Sequence, residues 1–139
     1  MKTLALILTA LLTGFSTLAQ EGSGTTVTVT IENVLSDDGT ILGSLHSQDT
    51  FMKGPGVNNA IAPAKAGEVT LTFENVEPGT YAIMVMHDAN DNNQMDMEPS
   101  GMPKESYATS GEMNLYGPPT FEGAKFEVAG EDQEFRIRF

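Results

Sequence analysis

Tyr81–Glu98, YAIMVMHDANDNNQMDME, sets an apolar segment directly against a loop crowded with side-chain oxygens. Tyr81, Ile83 and Val85 alternate with Ala82, Met84 and Met86, so both faces of the segment are apolar. That pattern predicts a strand covered on both sides and therefore central in its sheet. Immediately after it, Asp88, Asn90, Asn92 and Asp96 fall at relative positions 1, 3, 5 and 9. This is the spacing with which a calcium loop wraps oxygen around a hard cation.

Working outward, the flanking segments are short and turn-bounded. Val27, Val29 and Ile31 alternate with Thr26, Thr28 and Thr30, which predicts a half-buried strand over 25–32. Ser36-Asp37-Asp38-Gly39 reads as a turn, with Gly39 free to take positive φ, and Thr40–Ser47 as a second strand in a hairpin with the first. Residues 48–67 carry two prolines and several glycines and predict an irregular connection, pinned to the core by Phe51, Met52 and Ile61. Val69, Leu71 and Phe73 mark a third strand, and Pro78-Gly79 turns the chain into the central one. Between 88 and 123 only Glu105–Thr109 suggests a short strand, and so long an oxygen-rich loop in a small domain points to function. Strands resume at Lys125–Ala129 and Gln133–Phe139, where Phe135, Ile137 and Phe139 face in and Arg136 and Arg138 face out. The sum is an all-β, antiparallel β-sandwich of about seven strands with one long functional loop. A closed outer-membrane barrel needs at least eight spanning strands, and the irregular stretches leave too few.

The first nineteen residues predict a signal peptide. Met1-Lys2 is its positive start, Leu4–Leu12 its apolar core, and Thr17 and Ala19 sit at −3 and −1 of a cleavage before Gln20. The apolar run is shorter than the roughly 20 residues of a spanning helix. Residues 20–24 form a polar lead-in, and 25–139 a single domain with one core. The expected location is secreted or periplasmic. A formal charge of −12 excludes nucleic acid and anionic membrane as natural partners and suits cation binding. With no cysteine, the fold must hold without disulfides.

Two pieces carry a resemblance. FENVEPGTYAIMVMHD, residues 73–88, resembles the core hairpin of prealbumin-like and carboxypeptidase-regulatory-like sandwich domains. HDANDNNQMD, GMPKESY and GPPTFEGAKF together resemble the exported bacterial family of unknown function catalogued as DUF2141, over about residues 25–139. The resemblance implies a small secreted Ig-like or prealbumin-like sandwich and carries over no activity and no catalytic residue.

In the calcium reading, Asp88, Asn90 and Asn92 turn inward, and Asn93 takes the sharp bend usually given to glycine. Gln94 offers its backbone carbonyl, Met95 anchors the loop to the core, and Asp96 ligates directly or through water. Pro99 stands where the bidentate Glu of an EF-hand would be, leaving Glu98, one residue short, or Glu105, folding back, to complete the shell. The alternative is an Asx-rich turn that caps its own backbone. His46, His87 and Asp88 would make a zinc set for a metal-dependent hydrolase or sugar-active enzyme if the two strand ends were neighbours. Met84, Met86, Met95, Met97, Met102 and Met113 could serve a soft metal, but Met84 and Met86 read first as core filler. The expected function is thus a non-enzymatic module with calcium at 88–98, serving an extracellular or envelope protein or glycan.

Overall fold

The computed structural model of the chain describes residues 24–114 and 116–139. The expected signal peptide lies outside them. Eight strands form two facing sheets: β1 (Thr25–Val34), β2 (Thr40–His46), β3 (Asn58–Pro63), β4 (Gly67–Val76), β5 (Gly79–Asp88), β6 (Tyr107–Thr109), β7 (Phe126–Val128) and β8 (Gln133–Arg138). The one described helix, α1 (Phe121–Ala124), is a single turn capped by Thr120, whose hydroxyl accepts from the Gly123 amide.

Alternation becomes layering directly. In β1, Val27, Val29 and Ile31 are fully buried, while Thr26, Thr28 and Thr30 stay partly exposed. β1 is the middle of a three-stranded sheet ordered β4-β1-β8. The second sheet is ordered β3-β2-β5-β6, with β7 joined to the start of β5, so β5 is internal as its two apolar faces require. The core fills the gap between sheets. Val29, Ile31, Leu71, Phe73 and Ile137 come from one side and Ile41, Leu45, Ile83 and Val85 from the other. At Gly43 the sheets approach so closely that a Cβ would stand 2.4 Å from Leu71 Cδ1. On the outside of the first sheet, Arg136 reaches Glu32 on β1 and Glu68 on β4, tying its three strands together.

The fold is the expected all-β sandwich, with several local differences. β1 and β2 are not a hairpin: the Ser36–Gly39 turn hands the chain from one sheet to the other. β8 runs parallel to β1, with Val29 opposite Phe135. The stretch expected to be irregular contains β3, an edge strand of the kind that tolerates its terminal Pro63. Of the residues expected to pin that stretch, Phe51 is buried, but Met52 and Ile61 are 56% and 68% exposed. Met84 and Met86 do not fill the core between the sheets, although Met84 packs against a small outer cluster of Phe51, Ala82 and Ala124. They lie half-buried on the outer face of the second sheet, and no methionine is buried in the core among the described residues.

Candidate functional site

Asp88, the last residue of β5, shares the outer face with Met84 and Met86 and is completely buried. Its carboxylate accepts from the backbone amides of Asn92 (Oδ1, 3.2 Å) and Asn93 (Oδ2, 2.6 Å), folding the following residues back over the strand end. The wrap passes through left-handed backbone at Asp91 (φ 56°) and Asn93 (φ 59°), a conformation that Asx residues tolerate. Thr40, opposite Asp88 in the sheet, donates to Asp91 Oδ1 at 2.6 Å and ties the loop to β2.

The remaining polar groups converge on Asp96. Asn90 Nδ2 donates to its Oδ2 at 2.6 Å, and Asn92 Nδ2 to both oxygens at 3.1 and 3.2 Å. Beyond Asp96 the chain turns on itself, with Met97 bridging Pro103 and the Glu98 amide donating to the Met102 carbonyl at 2.7 Å. This reversal returns Glu105 to the cluster, where its Oε2 accepts from the Asp96 amide at 3.1 Å. The other oxygen, Oε1, is buried with no hydrogen-bond partner.

Asp88, Asn90, Asn92 and Asp96 therefore belong to one hydrogen-bonded cluster. Gln94 joins through its backbone, donating to Asn92 Oδ1 at 2.9 Å, with its side chain exposed. Glu98 points elsewhere: its Oε2 accepts from Ser100 at 3.5 Å on the tip of the reversal, while Glu105 takes the place beside Asp96. Among the described residues no group of three or more His, Cys, Asp or Glu side chains is placed to hold a metal. The side-chain amides of Asn90 and Asn92 turn their NH₂ groups to Asp96 while their oxygens accept from the backbone amides of Asn92 (3.2 Å) and Gln94 (2.9 Å), so a half-turn that brings each carbonyl oxygen toward Asp96 gives up those two bonds.

The histidines are not brought together. His46 pairs with Ala82 and His87 with Ile41, five residues apart along β5, or about 17 Å at strand rise. They also occupy opposite faces. His87 follows Ile83 and Val85 on the core side, stacks on Phe139 and has Nε2 2.7 Å from the Asp38 carbonyl. His46 lies on the outer face, edge-on to Phe51, with Nδ1 3.1 Å from the Thr50 carbonyl. The zinc set of His46, His87 and Asp88 has no common site. Burial pushes the His46 pKa below its ordinary 6.5, against a smaller opposing effect of the Thr50 carbonyl. Protonation then favours the unfolded chain, so the stabilisation is complete above about pH 6.5 and is lost as pH falls below it. A His46→Gln variant is expected to show a flatter fall in stability between pH 7 and 5 than the wild type, measured by urea unfolding. An equal slope would exclude His46 as the cause.

Two tethers of the loop carried no signal in the pattern: the Thr40–Asp91 contact, and Gly39 lying against the Asp88 carbonyl. Both depend on the register of β2 against β5. No curated protein and no solved structure matches the chain. A family described as "Uncharacterized protein conserved in bacteria (DUF2141)" matches residues 29–136, from β1 into β8 with the whole loop cluster inside. On that match the chain belongs to the DUF2141 family.

Proposed function

We propose that this is an exported, non-enzymatic binding module whose loop, from Asp88 to Glu105, takes up calcium and is ordered by it. The observation that supports it most is Glu105 Oε1. A carboxylate oxygen held from water without a partner is costly, and a hard cation between Glu105, Asp96 and the neighbouring amides would offset that cost. The proposed donors are all oxygens on one loop, and calcium accepts six to eight of them in flexible geometry. Magnesium demands a tighter octahedron and sheds water reluctantly, so it should bind less well. With few carboxylates the dissociation constant is expected near 10⁻⁴–10⁻³ M, about that of extracellular modules.

Glu105→Gln tests the reading through a change of sign. At about tenfold over Kd, calcium should stabilise the wild type by roughly 1.4 kcal/mol, several degrees in the melting temperature. The variant should lose most of that shift, yet melt no lower than wild type in chelator, because an amide removes an unpaired buried charge. A wild type indifferent to calcium, or a variant with the full response, would sink the proposal.

A further inference from the structure

We infer that the outer face of the second sheet carries a soft-metal site that takes Cu(I) through methionine thioethers and the imidazole of His46. Met52, Met84, Met86 and Met95 line one cavity of about 360 Å³ together with His46. Met52, Met84 and Met95 also line an adjoining one of about 380 Å³, where Met97 joins them. Five of the eight methionines in the chain thus meet on one face. Gap-filling is the ordinary use of methionine, and Met84 does pack on the small outer cluster of Phe51, Ala82 and Ala124, but the core between the sheets is filled by Val, Ile, Leu, Phe and Ala. Met52 and Met97, 56% and 53% exposed, and the half-buried Met86 and Met95 lie where solvent reaches them.

Thioether sulfur is a soft, polarisable donor that selects Cu(I) over calcium or magnesium, and without cysteine these are the softest donors in the chain. His46 completes the set in a usable form. Donation from Nδ1–H to the Thr50 carbonyl at 3.1 Å leaves Nε2 as the lone-pair nitrogen, the arrangement by which a backbone carbonyl orients a metal-binding imidazole. Met84, Met86 and His46 stand on strands, so the site does not require the calcium reading. Met95 and Met97 flank Asp96, so the oxygen-rich loop forms one wall of the cavity.

The test uses purified protein labelled with ¹³C at the methionine methyls, in chelator and again in millimolar calcium. Ag(I) serves as a redox-inert probe, and Cu(I) is offered in competition with bicinchoninate. One equivalent of Ag(I) should move the methyl signals of Met52, Met84 and Met95 and leave those of Met102 and Met113 in place. Cu(I) should be withdrawn from the competitor. A Met84→Leu/Met95→Leu double variant conserves volume and should melt close to wild type while binding at least tenfold more weakly. His46→Gln should weaken binding severalfold. Shifts spread over every methionine, or unchanged affinity in the double variant, would overturn the site. Silver binding that persists in chelator supports it whether or not calcium binds. Binding abolished by calcium would also overturn it, since the two sites adjoin but share no donor atom.

Discussion

Asp88→Ala should lower stability by about 3 kcal/mol in chelator and abolish any response to calcium. The side chain is fully buried and each oxygen accepts a backbone amide, from Asn92 and Asn93. Hydrogen bonds to a charged group are worth about 1.5–3 kcal/mol each, and relief of the buried charge returns part of that. For a domain of this size the loss corresponds to roughly 10 °C in the melting temperature. Residues 89–96 would lose the anchor that folds them over the strand end, so protease should cut there first. Asp88→Asn keeps one acceptor and should fall between the two. Were the alanine variant to melt like wild type in chelator, the loop would be held by something other than Asp88.

Gly39→Ala should be as damaging, by about 3 kcal/mol, although it only adds a methyl group in a turn. Gly39 has φ +69°, and a Cβ there would stand 2.0 Å from the Asp88 carbonyl oxygen and 2.7 Å from Ala89 Cα. A left-handed alanine costs about 1 kcal/mol, and a clash with backbone cannot be relieved by rotating a side chain. Either the turn withdraws from β5 or the start of the loop moves. Calcium affinity, where wild type shows it, should fall with stability, since the displaced atoms are those of Asp88 and Ala89. Equilibrium unfolding in urea measures the first effect and calorimetric titration the second. A variant as stable as wild type would mean that the turn has room to shift.

The fold was legible where period decides it and illegible where pairing does. Strict alternation at Val27–Ile31 specifies a strand and its depth from local residues, and the double apolar face at Tyr81–Met86 specifies a strand internal to its sheet. Asp38-Gly39 announces a reversal, but the same turn chemistry serves a hairpin and a passage between sheets, and which follows depends on where β4 and β8 pair. β3 was hidden because an edge strand needs only one row of hydrogen bonds and so admits Pro63 and polar Asn58 and Asn59. The methionines misled because thioether side chains look alike in a core and in an open groove, and parity alone cannot say which face of β5 meets the other sheet. In the site, Asp88, Asn90, Asn92 and Asp96 are near neighbours whose spacing shows in the chain. The choice of Glu105 over Glu98 needs the reversal at 97–103, whose hydrogen bonds no spacing rule encodes.

The parallel pairing of β1 with β8 bears on how the molecule comes into being. Thr26 is held by Asp132 and Asn33 by Phe139, contacts that each join residues 106 positions apart. Closing so long a loop must precede most of the reward for closing it, so folding should be slow for the size, in the range of about milliseconds to seconds. Until residues 133–138 have been synthesised and arrive, one side of β1 offers a row of unpaired amides and carbonyls beside Val27, Val29 and Ile31. A nascent or truncated chain is therefore most prone to self-association along that strand, and the escape from it is the docking of β8.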